Sequence, residues 1–153
     1  MLGRGELYRW LSVLLIHYAG TRTVSSALHE TALWRSRLLE LLAIENQEPA
    51  PGQLFTLGLA STLGQILKIS VPDVVSTLSL PPAARQALLE QAGPWHPYLQ
   101  IALQLDTPDS EAAEALARQF GGMARVLELS DQAWSWAAEH TGREGQDAAA
   151  RTV

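Results

Sequence analysis

Apolar residues recur at intervals of three and four along most of the chain, the spacing of helices that bury one face. The stretch from Ser26 to Ile44 shows it best, with Leu28, Ala32, Leu38, Leu39 and Leu42 in register. The alternation expected of half-buried strands is almost absent. The pattern predicts a first helix over Glu6–Tyr18, ended by Gly20, and a second from Ser25 or Ser26 to about Ile44. "NQEPAPG", Asn46 to Gly52, reads as a loop, followed by a third helix over about 53–67. Pro72 opens a short fourth helix with Ser70 as its cap, and "PPAARQALLEQAG" carries the prolines of a helix start and the glycine of a stop. Further helices are expected in "PWHPYLQIALQLD" and in "TPDSEAAEALARQFGG", whose early acids suit a helix start and whose two glycines suit a C-cap. The last helix is expected over Met123–His140, where His140 would place a favourable charge in the final turn. Residues 142–153 read as a fraying tail. The fold class is all-α, a compact bundle of about seven to eight short helices.

The first helix is unusual. Leu7, Trp10, Leu11, Val13, Leu14, Leu15, Ile16 and Tyr18 cover most of its circumference, so it requires burial on more than one side. It is either the central helix of this domain or it meets something outside this chain. A second copy would cover it through a C2 dimer, with Trp10 as the anchor.

Composition narrows the function. A chain of 153 residues with 47% apolar and 18% charged residues forms one globular domain with a real core. The net charge of −5 argues against nucleic acid and anionic membranes as partners. With no cysteine there are no disulfides and no thiolate metal ligands, in keeping with a cytoplasmic protein. The apolar run around Val13–Ile16 is far shorter than the roughly 20 residues of a membrane span, and no secretory leader is read.

Common catalytic patterns are incomplete. His29-Glu30 begins a zinc-binding helix motif, but Leu33 stands where its second histidine belongs. Gly58 and Gly64 are one residue too far apart for a phosphate-binding loop and precede Gln65, not lysine. There is no nucleophile elbow. The four histidines, His17, His29, His96 and His140, share no helical spacing. Arg37 and Glu40 are three apart and pair on a helix surface, and Arg35 joins them if that face is a contact patch. Of five tryptophans, Trp134 and Trp136 point different ways from one helix, one toward the core and one available as an anchor.

Several segments in order resemble one family. "LGRGELYRWLSVLLI", "ALWRSRLLELLA", "GQLFTLGLASTLGQIL", "ISVPDVVSTLSLPPAARQALL" and "LQLDTPDSEAAEALARQFG" are similar to the C-terminal part of the HDOD domain, the HD-related output domain of bacterial signalling proteins. The likeness is to the branch in which it follows an EAL, cyclic-di-GMP phosphodiesterase-type domain. It covers Leu2 to about His140, giving a partial HDOD-like domain over 1–141 and a flexible tail over 142–153. Catalytic HD phosphohydrolases carry a metal-binding His-Asp pair in the helix matched by "LGLASTLGQIL", and here Ser61 and Thr62 stand at that position. The resemblance therefore implies a non-catalytic output domain with no cofactor and no resident metal. Any phosphodiesterase activity would belong to an EAL domain elsewhere in a parent protein. Its partner would be a protein, a preceding N-terminal part of its own, or a second copy, and the expected contact residues are Trp10, Arg35, Arg37 and Glu40. The alternative is a divergent metal-dependent phosphohydrolase in which His17, His29 or His96 meets Asp73, Asp106 or Asp109.

Overall fold

The computed structural model describes residues 26–67, 70–78, 80–106 and 110–150. Every element among them is helical: α1 (Ser26–Glu45), α2 (Pro51–Leu67), α3 (Val71–Leu78), α4 (Pro82–Leu89), α5 (His96–Asp106), α6 (Ser110–Ala117), a 3-10 turn over Arg118–Phe120, and α7 (Met123–Ala150). The all-α expectation holds. The helix expected over Glu6–Tyr18, with Trp10 and His17, lies outside the described residues.

The centre of the described bundle is α1. The stripe legible in its sequence is only part of what it buries. Trp34, Arg35, Ser36, Leu38, Leu39, Glu40, Leu42 and Ala43 are all inaccessible, which covers the helix nearly all round. Two long neighbours achieve this. α2 turns back after a short loop and contributes Leu54, Phe55, Leu57, Leu59, Ala60 and Leu63. α7 returns along the other side, so that Arg125 pairs with Glu45 and Trp134 stacks on Trp34. Its inward residues, Val126, Leu129, Ala133 and Ala137, keep the three-and-four spacing of a single buried stripe.

The turns have local causes. At the end of α1, Gln47 adopts φ 58°, while the Glu48 amide donates to the Ala43 carbonyl at 2.9 Å and the Gln47 amide to Ile44 at 3.1 Å. This is a left-handed helix cap built without glycine. The cap after the 3-10 turn uses Gly121 at φ 88°, with the Gly122 amide donating to Ala117 at 2.8 Å, as the paired glycines suggested. Ser70 caps α3: its Oγ accepts from the Asp73 amide at 3.4 Å and donates to the Asp73 carboxylate at 2.7 Å. The final helix departs from expectation. It continues past His140 to Ala150, through the segment read as the start of a frayed tail. His140 is therefore not in a last turn. Its Nδ1–H donates to the Trp136 carbonyl at 2.7 Å, and its ring packs on that indole.

Tyr98 ties the α1–α2 loop to α5. Its hydroxyl accepts from Asn46 Nδ2 at 3.2 Å and donates to Glu48 Oε1 at 3.1 Å. Burial, with help from the Glu48 charge, raises its pKa above the ordinary 10.0, against a smaller opposing effect of Asn46. A raised acid pKa means the folded state holds this proton more tightly than the unfolded chain. The stabilisation is complete below pH 10 and disappears as pH climbs through the folded value. Unfolding by urea between pH 8 and 11 should show stability falling at the alkaline end. Tyr98→Phe should flatten that fall and cost roughly 0.5–1.5 kcal/mol at neutral pH.

Candidate functional site

The two residues at the centre of the "LGLASTLGQIL" helix turn inward on their own backbone. Thr62 is buried, and its Oγ1 donates to the Gly58 carbonyl at 2.8 Å. Ser61 Oγ donates to the same carbonyl at 2.6 Å and accepts from Arg35 Nη1 at 3.3 Å. Back-bonding of this kind satisfies a helical hydroxyl without any external ligand. Gly58 lets it happen beside α1, because its missing side chain leaves α2 against the Ser36 backbone.

Arg35 decides the electrostatics. Only 5% of it is exposed, and its guanidinium lies against Ser61. A permanent cation at this distance repels a divalent ion, and neutral hydroxyls are poor replacements for imidazole and carboxylate. The donor set at Ser61 and Thr62 does not fit a divalent metal. The histidines and acids of the alternative reading fall on different elements, and no group of three or more metal-binding side chains occurs among the described residues. His29 belongs to α1, His96 opens α5, Asp106 closes α5, and Asp73 serves the α3 cap. His17 and Asp109 lie outside the described residues.

Arg35 and Ser61 also line a cavity of about 420 Å³ that opens between α1, α2, the start of α3, α4 and α5. Gln91, His96 and Gln100 add polar groups to its wall. Val71, Leu88, Leu99 and Leu103 supply an apolar side. His96, Leu99, Gln100 and Leu103 are spaced by three, four and seven along α5, which puts them on one helix face. That spacing is visible in the sequence, but it does not reveal that Arg35 and Ser61 stand opposite.

The remaining candidates form a second cluster. Arg37 and Glu40 pair as their spacing suggested, yet not on a solvated face, because Glu40 is 1% exposed. Arg37 also lies over the Trp136 ring, 5.5 Å from its centroid. Arg35 and Arg37 do not share a patch. Two residues apart on a helix, they point to different neighbours, α2 and α7. Trp136 is half-buried and meets Phe55 edge-on at 5.9 Å. Trp134 is the more exposed of that pair, at 37%, and covers Trp34. An open groove of about 520 Å³ runs beside Arg37 and Trp136, rimmed by Glu128, Asp131 and Glu139.

Comparison with known proteins gives one distant relative. Over 122 residues the chain is 26% identical to the uncharacterized protein YuxH of Bacillus subtilis (strain 168), a match covering 78% of this chain and 30% of that protein. The chain thus spans less than a third of the relative's length. No protein-family model matches the chain, and no solved structure matches it.

Proposed function

We propose that this chain is a non-catalytic helical output module of the HDOD kind, working through protein–protein contacts in bacterial signalling of the cyclic-di-GMP type. The observation that carries the reading is the Arg35–Ser61–Thr62 arrangement. The hydroxyls are bonded to the Gly58 carbonyl, and a buried guanidinium stands beside them. Leu54, Phe55, Leu57, Leu59, Ala60 and Leu63 of α2, by contrast, are buried in packing, so the helix is retained for shape. A match to a limited part of a longer relative suits a module that acts beside other domains. Its partners on this reading are a protein, a preceding segment of its own parent, or a second copy. The large apolar side chains left exposed on α7, Leu127 and Trp134, suit that role. They lie seven residues apart, two turns along one face.

Elemental analysis of the purified chain, with a bis(p-nitrophenyl) phosphate assay in added manganese, tests the non-catalytic part. Metal well below one ion per chain and no turnover are expected. Stoichiometric manganese, iron, zinc or nickel that survives dialysis, accompanied by hydrolysis, would establish the phosphohydrolase reading instead. Sedimentation of the same preparation tests the second copy as partner. A dimer dispersed by Trp10→Ala supports it, and a strict monomer removes it.

A further inference from the structure

The open groove between α1 and α7 runs along both helices, and we propose that it seats the chain's own N-terminal segment, the apolar stretch over 6–18 that lies outside the described residues. This inference goes beyond the output-module reading and does not depend on it. It gives the first helix expected from the sequence a place on its own chain.

The groove borders the one side of α1 that the described helices leave open. Between Ala32 and Ala43 only Leu33, Arg37 and Leu41 escape full burial, and their spacing of four makes them a single stripe. Ile44, 50% exposed, extends it. Arg37 and Leu41 form one wall of the groove, and α7 forms the other. Leu41 and Trp136, both packed against the core, give it an apolar floor. Glu128, Asp131 and Glu139 stand exposed along the α7 edge and make the rim acidic. In a helix bundle, a stripe of this kind is covered by one more helix laid along it.

Pattern, charge and reach select the occupant. Leu7, Leu11, Leu14 and Tyr18 recur at four, three and four, an apolar stripe to lay on the floor. Residues 1–25 carry Arg4, Arg9 and Arg22 against Glu6 alone, opposite in sign to the rim. Residues 19–25 tie the stretch to Ser26 at the start of α1, and a tether of that length reaches roughly 23–25 Å. α7 runs antiparallel to α1, with Arg125 at Glu45 and Trp134 at Trp34, so the start of α1 lies toward the Glu139 end of the groove. Running back from Ser26, the segment enters at Glu139 and leads toward Glu128. Leu7 to Tyr18 and Glu128 to Glu139 each advance roughly 16 Å along a helix. This register puts Leu14 beside Ser135 and Leu11 beside Gln132. A short tether also holds the segment at roughly millimolar effective concentration, well ahead of a second copy at micromolar concentration.

Disulfide trapping in the full chain tests the proposal, and a chain without cysteine makes an introduced pair report alone. Leu14→Cys is combined with Ser135→Cys in the groove and, separately, with Leu89→Cys on α4, where a 45% exposed leucine marks a rival apolar face. Each is oxidised at micromolar concentration and followed by non-reducing electrophoresis. The Ser135 pair should close within one chain at least about tenfold faster than the Leu89 pair. Reversing the rim with Asp131→Arg and Glu139→Arg, both at exposed positions, should slow that closure about twofold to fivefold at low salt, the size of an exposed ion pair. A covalent dimer as the main product means that a second copy fills the groove and overturns the proposal. So do a Leu89 pair that closes as fast, no closure at Ser135, or a rim reversal that leaves the rate unchanged or raises it. Leu11→Cys with Gln132→Cys, one turn along, decides the matter if circular dichroism shows that the first pair fails to fold.

Discussion

Trp34→Ala is expected to lower the unfolding free energy by roughly 3–5 kcal/mol, the range for emptying a buried tryptophan site. Trp34 is 1% exposed in the middle of α1, the helix on which both long neighbours pack. Its indole stacks on Trp134 at a centroid distance of 4.8 Å with planes 12° apart, and its Nε1–H donates to Ser130 Oγ at 3.1 Å. Removing it leaves a void between α1 and α7 and takes a donor from Ser130, which is only 7% exposed. Trp134 can relax part of the way into that void, which favours the lower end of the range. Two companions separate the contributions. Trp34→Phe keeps a ring and loses the donor, at about 1–2 kcal/mol. Trp134→Ala removes the partly exposed half of the stack, at about 1 kcal/mol. Urea unfolding followed by circular dichroism gives all three without relying on fluorescence from the remaining tryptophans. A Trp34→Ala cost no larger than that of Trp134→Ala would mean that α1 is not the centre of the bundle.

Local signals survived into the structure well. The three-and-four spacing, the prolines before α4, the Ser70 cap and the glycines at 121 and 122 each act within a few residues, so each can be read from a short window. The left-handed cap at Gln47 was hidden, because nothing in a glutamine marks it for positive φ. The continuation of α7 past His140 was hidden too. Gly142 and Gly145 lower helix propensity, and propensity is a weak guide to where a helix stops. What the sequence could least reveal is which polar residues are buried. Arg35, Ser36 and Glu40 look like the outer face of an amphipathic helix, and the spacing of Arg37 and Glu40 gives their pairing correctly. Only the arrival of α2 on one side and α7 on the other takes these groups out of water. The cavity has the same origin. Ser61 and Thr62 could be singled out along the chain, but the guanidinium that meets Ser61 comes from 26 residues away, and His96 from further still.

The contact that sets this geometry should make one substitution act in opposite directions at two positions of the same helix. A Cβ built on Gly58 would lie 2.8 Å from Ser36 Cα and 3.1 Å from both the Arg35 carbonyl oxygen and the Ser36 amide nitrogen. All three are backbone atoms, so no side chain can swing away, and α1 and α2 must separate. Alanine in a helix interior gains roughly 0.5–1 kcal/mol over glycine, but overpacking costs roughly 1–3 kcal/mol and more where backbone has to move. Because the obstruction here is backbone, the steric cost wins, and Gly58→Ala should destabilise by about 2 kcal/mol or more. Gly52, in the first turn of α2, has nothing within 4 Å of a built Cβ, so Gly52→Ala should instead stabilise slightly, by up to about 1 kcal/mol. Equal effects of the two substitutions on stability would show that α1 and α2 do not cross at Gly58 and Ser36.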